Sequence, residues 1–197
     1  MTHATNALFP DGDCLTCESL AEAIKQKERV ELTGEAWQRV SAAREMVERI
    51  TSADIAAYGI NAGVGSQKDY AVPSASLLEF NRRLVSAHAT WVPGKFLTDN
   101  VVRGALIVLL NGFAKGNSGV SKELIQHIIS RLADDQFPQI DAGGTVGASE
   151  HNSSCTDCRL ASLLGKSLKI GLTESQGDTV SDQQQCGESD CRRNAAC

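Results

Sequence analysis

The sequence lacks a surplus of basic residues, a long apolar run and a secretory leader. Its 197 residues carry 19 Lys and Arg against 24 Asp and Glu, for a formal net charge of −5. This balance argues against a nucleic-acid partner, which needs clustered Lys and Arg. The longest apolar run, Val101–Leu110, is interrupted by Arg103 and is too short to cross a bilayer. We therefore expect a cytoplasmic protein with no membrane partner.

Cysteine is scarce in the first 150 residues and concentrated after them. Cys14 and Cys17 form one Cys-x-x-Cys pair, and Cys155 and Cys158 form a second. An odd total of seven, without a leader, disfavours a secreted disulfide framework. The two pairs lie much farther apart than the about 15–20 residues of a compact zinc ribbon. We expect no metal site, and a Cys-rich zinc or thiol protein stays as an alternative.

Helical patterns dominate residues 15–149, which we take as the main domain after an N-terminal arm of residues 1–14. Pro73-Ser74 opens a helix that carries Leu77, Phe80, Leu84 and His88 along one face. Strand signals are weak, so the predicted fold class is mainly α. Three further helices are predicted from their capping residues, after Thr33 with Trp37, Val40, Met46, Val47 and Ile50, from Thr98 or Asp99 to about Lys115, and after Ser121 from Lys122 to Ala133.

Residues 150–197 differ from this domain in composition. They are rich in Gln, Ser, Asp and Cys, and they contain no aromatic residue. One short amphipathic segment, about Arg159–Ile170, interrupts the polar sequence. So little apolar surface does not offset the entropy lost on ordering a chain. We expect a domain boundary at residue 150 and a divergent, disordered tail after it.

Four short segments occur in a specific order. Tyr58–Gly65 reads YGINAGVG, Asn81–Ala89 reads NRRLVSAHA, Val101–Val120 contains NGFAKGNSGV, and Gly144–Ser149 reads GTVGAS. Their order and spacing resemble the aromatic amino acid lyases, which are the histidine, phenylalanine and tyrosine ammonia-lyases and the related aminomutases. The resemblance covers about residues 15–149 and implies the N-terminal portion of the ammonia-lyase helical fold, with a loop-rich active-site region.

The resemblance implies roles for residues of the glycine-rich loop. Tyr58 would be the base that removes the β-proton of the substrate, and Asn61 and Gly65 would take part in substrate binding. The ordinary pKa of tyrosine is about 10, so this role needs surroundings that favour the phenolate. His88 would contact the substrate side chain, and a histidine packed in the core with Phe80 and Leu84 is the alternative for it. Tyr58 has the corresponding alternative of a half-buried structural tyrosine.

The resemblance also implies an electrophilic cofactor, a methylidene-imidazolone made from an Ala-Ser-Gly triplet. Ala148 and Ser149 match its first two residues, and Glu150 stands in the glycine position. Cyclisation needs a cramped backbone turn, which glycine permits and a side chain restricts. We therefore expect an unmodified loop, with maturation despite Glu150 as the alternative. Arg103 interrupts an apolar helix, and because a buried guanidinium needs a partner, we predict a structural ion pair.

These features predict a truncated or degenerate aromatic amino acid ammonia-lyase. The implied reaction is non-oxidative deamination of an aromatic L-amino acid such as His, Phe or Tyr to an arylacrylate and ammonia. The family completes its active site with residues from later in the subunit and from neighbouring subunits, so we expect little activity from this chain alone. The expected partners are an aromatic amino acid and either further copies of the chain or full-length lyase subunits. A non-catalytic module that joins such subunits is the alternative function.

Overall fold

A computed structural model describes residues 7–53, 55–88, 96–137, 140 and 142, with the backbone alone for residues 85–88. Five α-helices and one pair of short strands form this part of the chain. The strands β1 (Ala7–Leu8) and β2 (Arg29–Val30) pair in parallel. The helices are α1 (Cys17–Lys25), α2 (Gly34–Ser52), α3 (Ser74–His88), α4 (Asp99–Ala114) and α5 (Lys122–Ala133), with a 3-10 turn at Gly65–Gln67 before α3.

Side-chain oxygens cap the first turns of three helices. The Thr33 hydroxyl accepts from the Ala36 amide at 3.2 Å at the start of α2, and the Ser121 hydroxyl accepts from the Leu124 amide at 3.4 Å at the start of α5. Thr16 caps α1 in the same way. These bonds satisfy amides that have no partner within the helix, so local sequence fixes where these helices begin.

The prediction of a mainly helical fold is confirmed. Helices α2, α4 and α5 begin directly after their predicted capping residues, and α3 begins at Ser74 as the Pro73-Ser74 pair indicated. The sequence interpretation missed α1, whose nine residues are too few to show a long apolar repeat. It also missed the parallel strand pair, since two residues per strand give no alternation to recognise. Met46, placed with the apolar residues of α2, is half exposed.

The fourth helix lies at the centre of the apolar core. Three of its faces contact α1, α2 and α5. A Cβ atom on Gly104 would lie 2.9 Å from Ile24 Cδ1 of α1, so the absence of a side chain there lets the two helices approach closely. The fully buried apolar side chains Ile107, Leu110 and Ile125 join α4 to α5.

Arg103 is the one charged residue buried inside this described core, at 2% exposure. Its guanidinium donates to the Leu132 carbonyl at 2.8 Å and to the Glu28 carbonyl, and it lies 3.5 Å from the Asp135 carboxylate. Burial lowers the pKa of Arg103, and the negative charge of Asp135 opposes that shift. The predicted ion pair is confirmed, with two backbone carbonyls as additional partners.

Residues 11 and 12 of the N-terminal arm are hydrogen-bonded to α2 and to the C-terminal part of α4. The Gly12 amide donates to Asn111 Oδ1 at 2.9 Å, and Arg39 donates to the carbonyls of Asp11 and Ala114 at 2.6 and 3.0 Å. This part of the N-terminal arm is therefore hydrogen-bonded to the helical core. No helix in the described ranges has the length and apolar character needed to cross a membrane.

Candidate functional site

The glycine-rich loop joins α2 to α3 and is organised around Asn61. The side chain of Asn61 is 6% exposed. Its Oδ1 atom accepts from the Ala57 amide at 2.8 Å, and its Nδ2 atom donates to the Ile55 carbonyl at 2.9 Å. One buried amide thus satisfies two backbone groups of the preceding residues, which favours a defined conformation of the loop.

Tyr58 lies at the corner of a tight turn within this loop. The Ile60 amide donates to the Ala57 carbonyl at 3.1 Å, so Tyr58 and Gly59 are the two central residues of the turn. Gly59 has a φ of +75°, as the second central residue of a type II turn requires. The Tyr58 side chain is 67% exposed. The turn therefore presents the phenol outward, away from the core.

The second half of the loop folds back against the first. Ala62 and Ala71 form an antiparallel bridge, and the Val72 amide donates to the Asn61 carbonyl at 2.8 Å. A Cβ atom on Gly63 would lie 2.2 Å from the Gln67 carbonyl oxygen, so glycine is required at this close approach. Gly65 has a φ of +60° and begins the 3-10 turn. The loop is thus held by its own backbone bonds.

The structure brings three of the predicted site residues, Tyr58, Asn61 and Gly65, into this one loop. Asn61 uses both side-chain polar atoms within the loop, and Gly65 provides a backbone conformation, so each acts on loop shape in the described chain. His88 is the last residue of α3, and its side chain lies outside the described part. Ala148, Ser149 and Glu150 also lie outside the described residues.

Sequence reasoning missed Gly63, the position with the closest backbone approach in the loop. Its only sequence signal is that it is the second glycine within YGINAGVG, and glycine spacing does not distinguish a close approach from a positive φ. It also gave no partner for Asn61, although Asn two to four residues from a turn often hydrogen-bonds nearby backbone groups.

The described residues contain no group of three or more His, Cys, Asp or Glu side chains able to hold a metal ion. Cys14 and Cys17 are exposed free thiols. The Asp11 carboxylate accepts from the amides of Cys14 and Asp13 at 2.8 and 2.9 Å, which lowers the pKa of Asp11 to about 2. A hydrogen bond to Asp11, together with its negative charge, raises the pKa of the Cys14 thiol.

The chemistry of the Ala148-Ser149-Glu150 triplet fits the methylidene-imidazolone only in part. Alanine and serine supply the carbonyl and the hydroxyl that the group needs. Glu150 places a β-carbon and a carboxylate beside the amide nitrogen that must attack. A side chain at this position removes the backbone freedom that a strained turn requires. With Glu150 in the glycine position, the residues present do not fit the group.

The geometry defines a helical domain whose ordered glycine-rich loop presents a tyrosine at its surface. A model of the family described as aromatic amino acid lyase matches residues 15–163. The chain belongs to the aromatic amino acid lyase family. The match extends beyond residue 149, so sequence similarity continues past the Ala148-Ser149-Glu150 triplet.

Histidine ammonia-lyases are among the most similar relatives. That of Myxococcus xanthus is 34% identical over 139 residues, which are 71% of this chain and 27% of the relative. The human histidine ammonia-lyase is 35% identical over 139 residues, 71% of this chain and 21% of the relative. The chain thus spans about a quarter of the length of these relatives.

Solved structures of related enzymes share the fold. The ergothioneine-degrading enzyme ergothionase from Treponema denticola superposes with a TM-score of 0.67 at 28% identity, over 72% of this chain and 28% of that enzyme. Histidine ammonia-lyase from Trypanosoma cruzi superposes with a TM-score of 0.63 at 28% identity, over 71% of this chain and 27% of that enzyme. The described helices are therefore arranged as in these enzymes.

Proposed function

We propose that this chain supplies the glycine-rich loop that carries Tyr58, here called the tyrosine loop, to an aromatic amino acid ammonia-lyase. The reaction is non-oxidative deamination of an aromatic L-amino acid, and Tyr58 takes the β-proton of the substrate. The observation that carries the proposal is the turn at Ala57–Ile60, which Asn61 holds in place and which presents Tyr58 to the outside. A base held on an ordered loop loses little freedom when substrate binds, and this favours proton transfer.

The exposure of Tyr58 also supports a requirement for a partner. A tyrosine in water has a pKa of about 10 and stays protonated at neutral pH, so a working base needs a covered and electropositive environment. The Tyr58 side chain is 67% exposed in this chain. In our proposal, residues of a full-length lyase subunit cover Tyr58 in the active assembly. The chain alone then has little activity.

The substrate we propose first is L-histidine. The similar relatives named above are histidine ammonia-lyases. His88 ends the helix that directly follows the tyrosine loop. A neutral imidazole both donates and accepts a hydrogen bond, so it matches an imidazole or a phenol on the substrate. L-Phenylalanine and L-tyrosine are the competing substrates for the assay.

The experiment is complementation of a lyase that has lost its base. The Myxococcus xanthus relative, with the tyrosine that aligns with Tyr58 changed to Phe, is co-expressed with this chain and assayed by the absorbance of the arylacrylate product. We expect this chain to associate with the relative and restore activity. The Tyr58→Phe variant associates without restoring activity. Tyr70→Phe is the matched control, because Tyr70 lies in the same loop and is 72% exposed.

Three outcomes decide against the proposal or its parts. Equal rescue by Tyr58→Phe and the original chain removes Tyr58 from the chemistry. Association that never restores activity assigns the chain to the non-catalytic alternative. An intact mass lower by two water molecules shows that the triplet matures, which contradicts an unmodified loop.

A further inference from the structure

Cys14 and Cys17 are two exposed free thiols with only two residues between them. Each thiol has a support of its own. The Asp11 carboxylate accepts from the amides of Asp13 and Cys14 and so holds the chain at Cys14, whereas Cys17 is the first residue of α1. Two accessible thiols this close in sequence are able to form a local disulfide, because closing so short a loop orders few residues.

Both supports are fixed to the helical core. Arg39 of α2 donates to the Asp11 carbonyl at 2.6 Å, and the Gly12 amide donates to Asn111 of α4 at 2.9 Å. On the other side of the pair, α1 packs against α4, and its Ala23 is fully buried. The two thiols therefore approach each other by movement of the two residues between them.

The backbone between the two thiols is extended. Thr16 has a φ of −104° and a ψ of 165°, and residues 14–16 contain no turn. Three residues of extended chain span about 10 Å between Cα atoms, whereas a disulfide joins Cα atoms about 4.4–6.8 Å apart. Leu15 packs against the apolar core, so the exposed Thr16 is the residue that is free to bend.

Thr16 is also the residue that caps α1. Its hydroxyl accepts from the Ser19 amide at 3.2 Å, and its amide donates to the Ser19 hydroxyl at 3.0 Å. Its carbonyl accepts from the Leu20 amide at 3.0 Å. The capping bonds depend on the extended conformation of the N-cap residue. A bend at Thr16 that joins the two thiols removes them, so the cap and the disulfide compete for the same residue.

We propose that Cys14 and Cys17 form a redox switch in which a reversible disulfide replaces the Thr16 cap of α1. The oxidant is a small disulfide such as oxidised glutathione. The Cys17 thiolate attacks it, forms a mixed disulfide and releases one thiol. The Cys14 thiolate then attacks the Cys17 sulfur, closes the bridge and releases the second thiol, and the two protons go to the released thiols. Cys17 reacts first, because the Cys14 thiol is hydrogen-bonded to the Asp11 carboxylate.

Equilibration of the intact chain with reduced and oxidised glutathione tests the switch. Free thiols are then alkylated, and the peptide that contains both cysteines is weighed by mass spectrometry. We expect this peptide to resist alkylation and to weigh two hydrogen atoms less than its reduced form. Thr16→Ala should raise the equilibrium constant for the bridge about fivefold, because this variant has already lost the cap that the bridge removes. Thr33→Ala is the matched control, since it removes the cap of α2 and leaves the constant unchanged.

Hydrogen exchange measures the effect on the helix. In the bridged chain the amides of Ser19 and Leu20 should exchange at least about fivefold faster than in the reduced chain, while amides of α5 exchange equally slowly in both. Cys14→Ser and Cys17→Ser should take up glutathione without this change.

Three results overturn the proposal. They are glutathione adducts without a bridge, a disulfide from Cys14 or Cys17 to another cysteine, and a bridge that forms with the same equilibrium constant in Thr16→Ala and the original chain. None of these results depends on Tyr58, so the test is separate from that of the proposed function.

Discussion

The guanidinium of Arg103 lies 3.5 Å from the carboxylate of Asp135, a residue with a φ of +54° just beyond the end of α5. The same carboxylate pairs with Lys27, which follows α1 and has a φ of +52°. Arg103 also donates to carbonyls near the ends of these two helices, at Glu28 and Leu132. One buried side chain of α4 thus connects the C-terminal ends of α1 and α5.

Replacing Arg103 with Met is expected to lower the free energy of unfolding by about 2–4 kcal/mol, because the buried Leu132 carbonyl and the partly buried Glu28 carbonyl lose their donor. Urea unfolding followed by circular dichroism measures this change. Arg83→Met is the control, since Arg83 pairs with Glu79 on the exposed face of α3 and such pairs contribute about 0.3–0.5 kcal/mol. Equal unfolding midpoints for the two variants would show that the Arg103 network does not stabilise the core.

Replacing Asn61 with Ala is expected to loosen the tyrosine loop while the core stays folded. The change removes the acceptor of the Ala57 amide and the donor to the Ile55 carbonyl. A buried group left without a partner costs about 1–3 kcal/mol, so the amides of Ala57, Gly63 and Val72 should exchange about five- to 150-fold faster. Asn100→Ala, at an exposed asparagine of α4, should leave these rates unchanged. Slow exchange in both variants would show that the Asn61 side chain does not organise the loop.

Gly119→Ala and Gly34→Ala are expected to have opposite effects on stability. Gly119 has a φ of +60°, and a Cβ atom there would lie 2.4 Å from Val47 Cγ2, so Ala should destabilise the protein by about 1–3 kcal/mol. Gly34 is the first residue of α2 with no atom within 4 Å of the added Cβ, so Ala should be neutral or stabilise by up to about 1 kcal/mol. Thermal unfolding separates them, and a stable Gly119→Ala variant would contradict the close packing of α2 on this turn.

The hydrogen bonds that the Asp11 carboxylate accepts are expected to make the free energy of unfolding depend on pH in the acidic range. The folded-state pKa of Asp11 is about 2, below its ordinary value of 3.8, because the carboxylate accepts from the Cys14 and Asp13 amides. The stabilisation is therefore complete above the ordinary pKa and is lost as the pH falls through about 2. Asp11→Asn should flatten this part of the pH profile of urea midpoints. A carboxyl titration of Asp11 by NMR at its ordinary value would contradict the assignment.

The raised pKa of Cys14 gives a separate expectation for thiol reactivity. The Asp11 carboxylate favours the protonated thiol, and the thiolate is the reactive form. Asp11→Asn should therefore speed alkylation of Cys14 at neutral pH, as peptide mapping by mass spectrometry would detect. Cys17 serves as the internal control within the same peptide. An unchanged alkylation rate at Cys14 would show that Asp11 does not keep the Cys14 thiol protonated.

Sequence patterns predicted the parts of the fold that depend on neighbouring residues. Thr33 and Ser121 cap α2 and α5 as expected, since a capping bond reaches only three residues along the chain. The same reasoning did not recover α1, although Thr16 caps it, because nine residues are too few to show an apolar repeat. Leu124, Ile128 and Leu132 are buried at helical spacing along α5, and Ile125 beside them is fully buried. The helix contacts both α4 and β2, and such contacts cannot be read from the spacing of residues within α5.

For the candidate site too, the sequence determined one part and the tertiary structure decided another. The sequence by itself determined the family, the helical class and the loop that carries Tyr58, because these depend on local motifs and their order. The tertiary structure alone decided that Asn61 bonds to Ala57 and Ile55, that Tyr58 is exposed, and that Arg103 pairs with Asp135. These contacts depend on how loops and helix ends come together in space, and residue spacing does not encode those distances.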